Sequence, residues 1–112
     1  MTVICFLMRE DVIIGFDMKG HSGAGKKGSD IVCAAISSAA YMTVNTITDV
    51  LAVKAQVEVS DGSMKLLVGS GDAEKCAATL KGFMLHMKQL ARQKPHNIKI
   101  MTVNSGKEHY YA

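Results

Sequence analysis

Residues 56–68 read QVEVSDGSMKLLV, and the pattern they carry decides the fold. Val57 and Val59 alternate with Gln56 and Glu58. After Asp61-Gly62, the residues Met64, Leu66 and Val68 alternate with Ser63, Lys65 and Leu67. Period-two alternation turns the apolar side chains to one face of a strand, and an Asp-Gly pair between two such runs signals a two-residue hairpin. C-terminal to this hairpin, Ala73, Cys76, Ala77, Leu80, Phe83, Met84, Met87, Leu90 and Ala91 recur at helical spacing until Pro95 forbids continuation. Asn97 to Val103 then predicts a last strand, followed by a polar tail from Asn104 to Ala112. On the N-terminal side, Ile31, Ala34, Ala35, Ile36, Ala39, Met42, Val50 and Val53 predict a long helix reaching about Lys54, capped by Ser29 or Asp30. Before it, Thr2–Met8 and Val12–Met18 flank Arg9-Glu10-Asp11 and predict a first hairpin. The order ββαββαβ predicts an α+β fold: a two-layer sandwich with a mostly antiparallel five-stranded sheet and two helices on one face. Apolar residues at both parities of the first strand imply that its second face is covered too, and a small sheet with an open face is expected to form a homodimer.

With 112 residues, of which 48% are hydrophobic and 21% charged, the chain supports one domain with its own core and lacks the polar bias of disorder. The net charge of +3 is too mild to mark a nucleic-acid binder. Lys75, Lys81, Lys88, Arg92 and Lys94 line one helix but read as a solvated face, and few aromatics accompany them for base stacking. Cys5, Cys33 and Cys76 lie far apart with no CxxC pair, so neither a disulfide framework nor a metal site is expected; a reducing cytoplasm fits. The N-terminal apolar run is short and followed at once by charge, which does not suit a secretory signal. The uncharged run from Ile31 to Thr48 is interrupted by Ser37, Ser38, Tyr41, Thr43, Asn45, Thr46 and Thr48, so no membrane span is expected.

The reactive groups concentrate in residues 20–37, GHSGAGKKGSDIVCAAIS. Gly20–Ser29 holds four glycines and only Ala24 as an apolar anchor, the composition of a flexible loop. His21 ends a strand, and Cys33 opens a helix. A loop that folds back brings imidazole to thiol, and helix-terminal amides with a nearby imidazolium are the setting that activates cysteine thiolates. Asp30, Cys33 and Ser37 are spaced i, i+3 and i+7, which puts them on one helix face. Asp30 caps the helix or orients His21, although a carboxylate beside Cys33 opposes thiolate formation. The plainer reading makes Cys33 a small buried hydrophobe and His21 an ordinary loop residue, and spacing alone does not choose between them. Cys5 and Cys76 read as core residues, and His86, His96 and His109 lack the partners a metal would need.

Gly20, Gly25 and Lys26 also satisfy the GxxxxGK pattern of a phosphate-binding loop. Lys27 stands where that loop needs a Ser or Thr for magnesium, and a mostly antiparallel sheet is the wrong host. A nucleotide binder and a non-catalytic binding module remain the alternatives to an enzyme.

The same eighteen residues resemble the ribosomal-processing cysteine protease family Prp, whose pattern is Gly-His, a glycine-rich stretch, then Asp-Ile-Val-Cys-Ala-Ala-Val-Ser. Ser22 stands where the family usually has Ala, and Ile36 where it usually has Val; neither change removes a reactive group. The resemblance extends to length and element order, and implies one cysteine-protease domain over residues 1–112. It further implies a thiol endopeptidase with a Cys33–His21 dyad supported by Asp30 and Ser37. A substrate-gating loop would include Gly20, Ser22, Gly23, Gly25, Lys26 and Gly28. The implied substrate is the N-terminal extension of bacterial ribosomal large-subunit protein twenty-seven, cut after a Phe-Phe pair in the cytoplasm, with no cofactor, metal or nucleic acid required.

Overall fold

The structure is a computed structural model that describes residues 1–20 and 31–104. Five strands and two helices follow the expected order: β1 (Thr2–Arg9), β2 (Val12–Lys19), α1 (Ile31–Asn45), β3 (Gln56–Ser60), β4 (Ser63–Leu67), α2 (Ala73–Gln93) and β5 (Ile98–Asn104). The spatial order in the sheet is β3-β4-β2-β1-β5. Three neighbouring pairs are antiparallel, but β1 and β5 run parallel, so the sheet is mixed. The parallel pair follows from α2, which carries the chain from β4 back across the sheet before β5 begins, as a parallel connection requires.

Register sorts the side chains. Ile4 faces Met18, Phe6 faces Phe16, and these align with Met64 and Leu66 of β4 on one surface of the sheet. Both helices pack there. Phe83 of α2 meets Phe16 with ring centroids 4.7 Å apart and Phe6 at 5.7 Å, while Cys76, Leu80 and Met87 complete its buried stripe. From α1, Val32, Ile36, Ala40 and Val44 are buried at i, i+4, i+8 and i+12. The other sheet surface carries Val3, Cys5, Asp17, Lys19 and Lys65. Cys5 therefore departs from the core assignment: it is half-buried beside Asp17, its cross-strand partner. Cys76 is fully buried, as expected.

The first helix also ends earlier than its apolar pattern suggests. α-Helical geometry stops at Asn45, a π-helical turn covers Thr46–Val50, and Ala52 has a φ of 54°. Threonine chemistry supplies the reason. Thr43, Thr46 and Thr48 each donate a hydroxyl hydrogen bond to the carbonyl four residues back, at 2.8, 2.7 and 3.1 Å. Such back-bonding competes with the helical ladder and bends it, and the Leu51 N–H reaches Thr46 O, five residues back. Residues 31–50 are long and apolar enough to cross a bilayer by length and composition. Here their apolar stripe is buried among the core residues instead.

Candidate active site

Cys33 is the third residue of α1, where the backbone N–H groups of a helix have no intrahelical partners and the helix dipole is positive. One turn apart along the same stripe stand Cys33, Ser37 and Tyr41, and all three line an open cavity of about 380 Å³. Its opposite wall is the β3–β4 hairpin from Val59 to Met64, and its end is Met18 of β2 and Gly20 just past that strand. The volume falls within the range of roughly 300–1,000 Å³ typical of ligand sites. Met18, Met64 and Val59 give it apolar lining, while Ser37, Ser60 and Ser63 add polar residues to the wall. The spacing reading of Ser37 agrees with this placement.

Gly20 is held in place by local chemistry. Its φ of +93° favours glycine, and its N–H donates to Gly62 O at 2.8 Å, tying the end of β2 to the hairpin turn. A Cβ at Gly20 would lie 2.5 Å from Met1 O. The Asp61-Gly62 turn thus closes a hairpin and also anchors the edge of the cavity. His21, Ser22, Gly23, Gly25, Lys26, Gly28 and Asp30 fall outside the described residues, as does the remainder of the GxxxxGK pattern. Tyr41, Met18, Met64 and Val59 were not among the candidate residues. Tyr41 had a usable signal, since it follows Cys33 by eight residues and Ser37 by four. The other three become neighbours of Cys33 only through sheet register.

The three thiols differ in setting, and none is in a disulfide. Burial pushes the Cys5 thiol above its ordinary value, and the Asp17 carboxylate adds to the rise. Burial also raises Cys76, with Asp72 reinforcing the shift and Lys75 opposing it. Among the described residues no cluster of three His, Cys, Asp or Glu side chains is arranged to hold a metal ion. A larger cavity of about 730 Å³ lies between α1 and α2, but Ala35, Ala39, Met42, Thr79 and Phe83 give it no nucleophilic thiol.

Comparison with known proteins identifies the family of the chain. The family model described as cysteine protease Prp matches residues 1–99. The chain belongs to the Prp cysteine protease family. Prp of S. aureus, an essential ribosomal processing protease solved with a covalently linked product peptide, shares its fold. The TM-score is 0.85 at 20% identity, over 92% of this chain and all of that one. The same S. aureus protease with a substrate peptide gives a TM-score of 0.80 at 19% identity and the same coverage. The SMU.848 protein of Streptococcus mutans is 33% identical, with a TM-score of 0.71, over 92% of this chain and 96% of that one. Among curated proteins, none matches the chain in sequence. The expected Prp architecture of five strands and two helices is therefore the one found, with a mixed sheet as its refinement.

Proposed function

We propose that the protein is a cytoplasmic cysteine endopeptidase that removes the N-terminal extension of bacterial ribosomal large-subunit protein twenty-seven after a Phe-Phe pair, with Cys33 and His21 as its dyad. The observation that carries this reading is the shared cavity: Cys33 and Gly20 line the same space, and His21 is the residue bonded to Gly20. Membership of the Prp family supports it, as does the fold shared with a protease solved with peptides.

The chemistry runs as acyl transfer. His21 takes the proton of the Cys33 thiol, and the sulfur attacks the scissile carbonyl carbon, forming a C–S bond and moving the carbonyl π electrons onto oxygen. First-turn amides of α1 donate hydrogen bonds to that oxyanion, and being fixed by the helix they need no reorganisation as the charge develops. Collapse breaks the C–N bond, the imidazolium gives its proton to the departing amine, and a thioester remains on Cys33. Water, deprotonated by His21, then attacks the thioester, releasing the carboxylate and restoring the thiol. Asp30 caps α1 and orients His21, and Ser37 hydrogen-bonds the substrate or supports the thiol. The segment holding Gly20, Ser22, Gly23, Gly25, Lys26 and Gly28 closes over bound peptide and selects it. The enzyme acts as a homodimer, and these steps call on neither metal nor cofactor.

Intact-mass spectrometry of the organism's own ribosomal protein twenty-seven, incubated with wild type, Cys33→Ala and His21→Ala, tests the reading. Wild type is expected to trim a short N-terminal segment ending in Phe-Phe, and both variants to leave the protein whole. Trimming by Cys33→Ala assigns the chemistry elsewhere. An intact substrate that still forms a complex with wild type makes the protein a binding module.

A further inference from the structure

We propose that the outer edge of β3 is a peptide-docking edge, on which an extended substrate segment adds to the sheet as a sixth strand beside Val57 and Val59. This rests on the protease reading above and states how its substrate is held.

β3 ends the sheet, with β4 as its hydrogen-bonded neighbour on the inner side. Ser60 pairs with Ser63 across the two-residue turn, and hydrogen-bonded pairs alternate with non-bonded ones along an antiparallel ladder. Ser60, Glu58 and Gln56 therefore turn their backbone groups towards β4. Val57 and Val59 turn theirs outwards, and among the described residues nothing bonds to them. All five residues of β3 are exposed, including Val57 at 37% and Val59 at 51%. Proteins usually guard such an edge with proline, bulges or several charges. β3 carries only Glu58.

Register identifies the occupant. Val59 faces Met64, and Met64 faces Met18, so one cross-strand row runs from the edge into the lining of the cavity shared with Cys33, Ser37 and Tyr41. A strand added outside Val59 extends that row, so every second side chain of the incoming peptide meets the apolar lining. The intervening side chains meet the opposite surface, where Glu58, Lys65, Asp17 and Lys19 stand. The partner chemistry is an unfolded peptide with an apolar residue facing the cavity, held through its main chain as in β-strand addition. Continuity of the edge with the cavity of Cys33 favours substrate over a second copy of the chain.

Val57→Pro is the direct test. Proline there removes an N–H that points away from β4, so the hairpin ladder stays whole while the docking edge loses a donor. The probe is a synthetic peptide of the N-terminal extension, cleaved by wild type and by V57P. KM is expected to rise about five- to tenfold, the worth of one or two lost main-chain hydrogen bonds. Melting temperature and the rate of Cys33 alkylation serve as controls for fold and site. Independently of that variant, N-methylation of successive peptide amides is expected to weaken wild-type binding at alternate positions. Equal KM for both proteins, with no alternation in the methylated series, overturns the proposal. So does V57P turning a dimer into a monomer with KM unchanged, which makes the edge a contact between copies. Wild type that leaves the peptide whole overturns the protease reading itself, and this inference with it.

Discussion

Gly20→Ala probes the junction between β2 and the proposed base His21, because Gly20 precedes His21 in the chain and is hydrogen-bonded to the hairpin turn. Two costs follow from the structure. A φ of +93° in a residue bearing a Cβ costs about 1–3 kcal/mol, and the added carbon would lie 2.5 Å from Met1 O, so backbone must move at a further cost of roughly 1 kcal/mol. The sum, about 2–4 kcal/mol, is a minority of the roughly 6–17 kcal/mol that holds a domain of this length folded. The variant thus stays folded at 25 °C, while its melting temperature falls by roughly 8–16 °C. Relief of the strain is expected to move the chain away from Gly62 and, on the proposed dyad, to slow catalysis by displacing the base from the thiol. A displacement near 1 Å costs on the order of a hundredfold in rate. Circular dichroism gives the melting temperature, and cleavage of the ribosomal peptide at 20 °C gives kcat/KM. Gly82→Ala is the control, since nothing lies within 4 Å of the added carbon and alanine favours a helix, so a small gain in stability is expected. Gly20→Ala with wild-type stability and rate would refute the reasoning about this junction.

Iodoacetamide at neutral pH is expected to label Cys33 first, because Cys5 and Cys76 have pKa values lifted by burial from an ordinary value of 9.0. Equal labelling of all three thiols in the folded protein contradicts the activated-nucleophile reading. The same shifts fix the sign of the alkaline limit. Both thiols are neutral in the fold and ionise more readily unfolded, so their stabilisation is complete below pH 9 and is lost as pH rises through their folded values. Chemical denaturation from pH 7 to 11 should show stability declining above about pH 9, less steeply in Cys5→Ala. Phe83→Ala should cost about 3–5 kcal/mol in urea denaturation, since its ring joins Phe6 and Phe16 in the core. A loss below 1 kcal/mol would show that these rings do not hold α2 to the sheet.

Local chemistry made much of this protein legible from its sequence alone. Asp61-Gly62 between alternating runs fixed the β3–β4 hairpin, the stripe from Ala73 to Ala91 fixed α2, and Pro95 bounded it, because each signal acts within a few residues. The family-bearing motif of residues 20–37 stood out for the same reason, with thiol, imidazole and glycines in one short stretch. Tertiary structure decided what depends on distant partners. The parallel pairing of β1 with β5 and the place of β3 at the edge come from sheet assembly, which no local pattern encodes. Three closely spaced threonines unwound the end of α1, an effect of side-chain hydrogen bonds that apolar periodicity overlooks. The half-buried position of Cys5 followed from which sheet face the helices cover. The cavity around Cys33 was likewise invisible beforehand: Met18 and Met64 lie 46 residues apart along the chain, and only cross-strand register sets them and Val59 side by side in its lining.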